Sequence, residues 1–71
     1  MIEPGKYKHY KGKYYKVIGV AKHSETREDM VYYQCLYGDF DYWVRPLKIF
    51  QEMVTVEGEV MPRFKFIEKN D

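Results

Sequence analysis

The chain is patterned almost throughout as short apolar runs in which polar residues fall at every second position, the period of a half-buried β-strand. Lys6-Tyr7-Lys8-His9-Tyr10 alternates in this way and meets Lys11-Gly12-Lys13, which reads as a hairpin turn. A second run, Tyr14 to His23, places Lys16 and Lys22 at even positions and the uncharged Tyr15, Val17, Gly19 and Ala21 at odd ones. The odd face is therefore predicted to turn inward, with Gly19 at a bend or bulge that leaves little room above it. A polar connection, His23 to Asp29, leads to a third strand, Met30 to Tyr37, in which Val31, Tyr33, Cys35 and Tyr37 share one face. Gly38-Asp39-Phe40-Asp41 supplies a turn, and Tyr42-Trp43-Val44-Arg45 a short fourth strand stopped by Pro46, which cannot donate to a ladder.

Beyond Pro46 the spacing changes. Leu47, Phe50 and Met53-Val54 recur at helical intervals, so a turn or two of helix is predicted there. Thr55 to Val60 reads as another tight turn, and Phe64 and Phe66 alternate with Arg63 and Lys65 in a last strand before a polar tail from about residue 68. The expected fold is all-β: a small SH3-like barrel of about five bent antiparallel strands with one short helical turn, an OB-type barrel being the alternative. Tyr15, Val17, Tyr33, Cys35, Val44, Phe50 and Phe64 form the predicted core.

Length and composition narrow this picture. Seventy-one residues, 1–71, allow one domain with a thin core, for which the 18% aromatic content compensates because each ring buries a large area. The single Cys35 excludes an intramolecular disulfide and fits a reducing compartment. No leader-like segment and no run of membrane-spanning length is visible, so a cytoplasmic protein without a membrane partner is expected. Net charge is +1, unevenly spread: residues 1 to 23 hold six lysines against Glu3, whereas residues 24 to 62 hold eight acids against Arg27, Arg45 and Lys48. Cross-strand charge pairing accounts for such asymmetry as readily as a basic face for an anionic partner does.

Candidate chemistry is sparse. His9, His23 and Cys35 have no metal-ligand spacing, and neither a metal nor another cofactor is expected. His23-Ser24-Glu25-Thr26 contains ingredients of nucleophilic catalysis, but adjacent strand residues point to opposite faces, and a loop whose hydroxyls satisfy its own backbone explains the same residues. Tyr7, Lys8, His9, Tyr10, Lys11 and Lys13 interleave rings and positive charge as a nucleic-acid surface would. Trp43 and Arg45 share parity, so with Val44 packed inward both point outward, where a cation–π pair leaves the guanidinium fork free for a carboxylate or phosphate. Arg63 is placed to add a second fork. In the opposing view Trp43 packs under the helical turn, and Arg45 or Arg63 locks Glu25 or Glu28.

Tyr7-Lys8-His9-Tyr10-Lys11-Gly12, Tyr15-Lys16-Val17-Ile18-Gly19-Val20-Ala21, His23-Ser24-Glu25-Thr26, Tyr37-Gly38-Asp39, Trp43-Val44-Arg45-Pro46, Phe50, Gly58 and Pro62-Arg63-Phe64 together closely resemble DUF1653, a family of short bacterial proteins of unknown function. The resemblance spans roughly Gly5 to Phe66 and implies an SH3-like barrel in a bacterial protein, with no activity to carry over. Cys35 departs from it, where a small residue such as Ala is expected. The resulting expectation is a binding or adaptor module for a peptide or protein segment, with Trp43, Arg45, Arg63 and the His23 to Thr26 loop converging at one end. An RNA-binding module and a small enzyme using that loop are the alternatives, and the oligomeric state is left open.

Overall fold

The alternation resolves, in a computed structural model that describes residues 2–70, into seven strands and one helical turn. In chain order these are β1 (Gly5–His9), β2 (Tyr14–Lys22), β3 (Asp29–Cys35), β4 (Tyr42–Pro46), α1 (Leu47–Phe50), β5 (Met53–Val56), β6 (Glu59–Pro62) and β7 (Phe64–Lys69). Five strands pair antiparallel in the order β4-β3-β2-β1-β7, and β5 and β6 form a separate hairpin. The all-β expectation holds, with two strands more than the predicted five. Helical spacing misread Met53-Val54: α1 stops at Phe50, Gln51 caps it, and Met53 already pairs with Pro62. Glu57 and Gly58, both at positive φ (51° and 83°), form the two-residue turn whose twist suits a hairpin. The predicted tail is also shorter than expected, because Glu68 and Lys69 continue β7 opposite Lys6 and Gly5.

Two β-bulges bend the sheet. In β2 the ladder steps from Val17–Tyr33 to Gly19–Tyr32, leaving Ile18 as the extra residue; in β7 Ile67 is the extra residue between Phe66 and Glu68. A bulge inverts the parity beyond it, so Val17 and Val20 face the core whereas Ala21 is exposed. The bend expected at Gly19 is present, but the crowding is not: a β-carbon there would meet nothing within 4 Å.

Tyr7, Val17, Val31, Tyr33, Phe50 and Phe64 make the core, with Cys35 buried beside them and Tyr15 half-buried against them. Phe50 and Phe64 stack at its centre, ring centroids 4.1 Å apart and 3° from parallel. Val44 does not join them. It is 60% exposed, because the register that seats Val31 and Tyr33 inward puts Arg45 and Trp43 opposite them on the inner face.

Candidate functional site

The inner face opens, beyond the core, into a notch of about 220 Å³ lined by Tyr15, Tyr33, Cys35, Tyr37, Trp43 and Arg45. Its floor follows from the ladder, since Tyr15 pairs with Cys35 and Tyr33 with Trp43. Tyr15 and Tyr37 share a hydroxyl hydrogen bond of 2.8 Å, and the Lys13 ammonium lies 4.2 Å from the Tyr37 ring centroid. That bond to Tyr15, with burial and a contact to Cys35, holds the Tyr37 hydroxyl protonated well beyond the ordinary tyrosine range. The notch is thus walled by rings and hydroxyls, with the Arg45 guanidinium within it and the Lys13 ammonium over its Tyr37 edge.

Trp43 is 55% exposed. Arg45 Nε donates a long hydrogen bond, 3.4 Å, to Tyr33 Oη, and its guanidinium carbon lies 5.7 Å from the Phe64 ring centroid. Among the described residues no carboxylate pairs with Arg45. Arg63 differs: its Nη2 donates to Glu52 Oε1 at 2.8 Å, and its own N–H donates to the Glu52 carbonyl. Its Nε is buried without a partner among the described residues. The second fork predicted from the sequence is thus engaged on one side at the approach to β5, and the acid that holds it is Glu52, not Glu25 or Glu28.

His9 lies within electrostatic reach of both arginines. Its ring stands edge-on to Phe64 (centroids 4.9 Å) and against Tyr10 (4.6 Å), and Nδ1 accepts the Lys11 N–H at 3.1 Å. Burial, reinforced by the charges of Arg63, Arg45 and Lys11, lowers its pKa below the ordinary 6.5. The unfolded chain then binds a proton that the folded one refuses, so this contribution is complete above pH 6.5 and is lost as pH falls toward the lower folded pKa. The thermal midpoint is expected to drop between pH 7.5 and pH 5, and His9→Asn, which keeps an acceptor near Nδ1, to flatten that drop. An unchanged pH profile in the variant would assign the effect elsewhere.

The His23 to Thr26 loop does not reach the notch. It joins β2 to β3 at the other end of the ladder, closed by a Lys22–Asp29 ion pair of 2.7 Å, roughly 20 Å along the strand from Tyr15 and Cys35. His23 Nδ1 accepts the N–H groups of Glu25 (3.1 Å) and Thr26 (3.3 Å), and Thr26 Oγ1 accepts that of Glu28 (3.2 Å). The imidazole lone pair that would activate Ser24 is committed to the loop's own backbone. Glu28 approaches Lys48 at 3.8 Å and no arginine. None of the loop's residues lines the notch; register sets Trp43 opposite Tyr33, away from the loop, and Arg45 opposite Val31, two residues from the Asp29 that ends it.

The N-terminal set is divided in the same way. Tyr7 is buried, donating to the Glu3 carbonyl at 2.6 Å and packing edge-on to Phe50 and Phe66, so it presents no ring to a base. Lys8, Lys11 and Lys13 remain exposed, with His9 and Tyr10 half-buried. A larger apolar hollow of about 440 Å³ lies between α1 and β7, lined by Ile2, Tyr7, Phe50, Pro62, Phe64 and Phe66 among others. Among the described residues no three His, Cys, Asp or Glu side chains are grouped to hold a metal, and no helix is long and apolar enough to cross a membrane.

A family model described as "Protein of unknown function (DUF1653)" matches residues 5–66. The chain belongs to this family. Among solved structures, the crystal structure of a DUF1653 protein from Bordetella bronchiseptica is similar at 35% identity, with a TM-score of 0.89 over 99% of this chain and 92% of that one. No curated protein matches. The DUF1653 match thus covers every residue of the notch, from Tyr15 to Arg45, and β4 with it.

Proposed function

We propose that this DUF1653 protein is a small SH3-like recognition module that binds an extended peptide or protein segment bearing a carboxylate, laid along β4 with Trp43 and Arg45 as its anchors. One observation carries the reading: Arg45, beside a half-exposed Trp43 in an aromatic notch, has no acidic partner among the described residues. An arginine held this way offers two parallel donors to a carboxylate, and aromatic anchors next to it are the usual composition of binding hot spots. The edge of β4 supports the extended form of the ligand. It pairs with β3 alone, and Tyr42, Trp43 and Val44 are all more than half exposed along it, without the lysines that normally blunt a free edge. The strand order β7-β1-β2-β3-β4, with a helical turn placed between β4 and the last strand, supports the SH3-like assignment. A lone buried thiol, Cys35, supports a reducing, cytoplasmic setting.

Trp43 is the chain's one tryptophan and reports directly on the notch. Titration with a pool of twelve-residue peptides rich in Asp and Glu is expected to shift its fluorescence, and a pool with Asn and Gln in their place is not. Arg45→Ala is expected to weaken that binding about tenfold or more while leaving the thermal midpoint near the parent's. A lowered midpoint, with neither pool bound by the parent, would make Arg45 a structural residue and overturn the reading.

A further inference from the structure

The sheet's other surface carries a different constellation. On the outer face of β2, β1 and β7, Lys16 lies directly opposite Lys6, and Lys8 lies directly opposite both Tyr14 and Lys65. Like charges placed face to face across a ladder destabilise it, and here two such pairs occur side by side. None of the four lysines has an ion-pair partner among the described residues, and the nearest acid in register is Glu68, opposite Lys6. Tyr14 sits exposed in their midst, with the Lys6 ammonium 4.7 Å and the Lys8 ammonium 5.7 Å from its ring centroid. Beside it a shallow hollow of about 280 Å³ is lined by Lys6, Lys16, Leu36, Glu68, Lys69 and Asn70.

We propose that this face binds single-stranded nucleic acid, the phosphates meeting Lys6, Lys8, Lys16 and Lys65 and a base stacking on Tyr14. Repulsion tolerated in the free protein is relieved when phosphates enter between the lysines, and the counterions they displace drive association. A flat exposed ring between positive charges suits an unpaired base, which offers a π-face whatever its identity. A duplex hides those faces. A lipid surface would instead call for aliphatic or aromatic side chains projecting together from the patch, whereas the Tyr14 ring is flanked by the Lys6 and Lys8 ammonium groups. The face lies across the sheet from the Trp43–Arg45 notch, so the two sites are independent and either can fail without the other.

Binding of fluorescein-labelled U12 and dT12 by the full chain, followed by anisotropy against salt, tests this. Binding of at least one is expected at low salt, with log K falling against log salt at a slope of about −0.7 for each lysine engaged, near −3 for the four. Lys8→Gln is expected to make the slope shallower by about 0.7 and to keep or raise the thermal midpoint, since it relieves the repulsion with Lys65. Tyr14→Ala is expected to weaken the oligonucleotide about fivefold or more and to leave competition by inorganic polyphosphate unchanged. No anisotropy change at low salt would overturn the proposal. So would binding that polyphosphate matches and Tyr14→Ala does not alter, the mark of a general polyanion surface, or a midpoint lowered by Lys8→Gln, the mark of a structural lysine.

Discussion

Phe50→Ala is expected to leave the protein largely unfolded at room temperature. The side chain is 1% exposed, stacks on Phe64 and meets Tyr7 and Tyr33 at 5.6 and 5.7 Å between centroids. Truncating a buried Phe costs about 3–5 kcal/mol, and a chain of this size has only about 3–5 kcal/mol of net stability. The loss is compounded locally. α1 has four residues, too few to persist alone, and Phe50 is its buried anchor, so the link between β4 and the β5–β6 hairpin comes loose with it. Phe50→Leu keeps most of the volume and is expected to fold with a loss nearer 1.5 kcal/mol. Urea denaturation followed by circular dichroism separates the cases; a cooperative transition in Phe50→Ala at the parent's midpoint would show that the core is centred elsewhere.

A single methyl group at position 5 is expected to do nearly as much damage. Gly5 opens β1 at φ +152°, a conformation that side chains rarely adopt, and its missing β-carbon would collide with the Glu68 carbonyl oxygen and the Phe66 ring of β7. Backbone strain of about 1–3 kcal/mol adds to overpacking of about 1–3 kcal/mol, because Glu68 is held by the ladder and cannot retreat. Gly19→Ala is the control: the backbone there is unstrained and the space above it is empty, so its midpoint should stay close to the parent's. Equal midpoints for the two alanine variants would remove the argument that β7 lies against Gly5.

Much of this was legible in the chain. Alternation located β1, β2, β3 and β7 to within a residue or two, and the inward parity of Val31, Tyr33, Cys35 and Phe64 was readable because polar residues mark the opposite face, Gln34 in β3 and Arg63 and Lys65 around β7. Where the parity failed, the cause lies outside the strand concerned. Tyr42-Trp43-Val44-Arg45 is bulky at both parities, so its facing is decided by the loop length that seats Trp43 across from Tyr33, and Val44 lost the inner position its shape suggested. Gly19 announces the bulge, but a strict period of two carries the odd face on through it, so the shift by one that leaves Ala21 exposed is missed. The same error hid most of the notch. The sequence places Tyr15 and Tyr33 in the core and Tyr37 on their face; the register of β4 makes the same three residues the walls around Arg45 as well. The sequence offers His9 only as part of the N-terminal basic surface; its place beside Arg45 and Arg63 is not legible there, since those residues come from elements far away in sequence.

The position of β1, between its sequence neighbour β2 and the distant β7, also governs how fast the fold is made and lost. The β1–β2 turn closes a loop of a few residues, whereas pairing Gly5 with Lys69 closes nearly the whole chain, at an entropic cost about 2 kcal/mol higher by the logarithmic dependence on loop length. The meander from β1 to β4 is therefore expected to assemble first and β7 to dock late, which makes folding slow for so short a protein. Contacts formed after the barrier act on escape from the native state. In stopped-flow measurements, substitutions along the β1–β7 seam should accelerate unfolding and those in the β2–β3 hairpin should retard folding, so that the lifetime of the molecule is written in its last-docked strand.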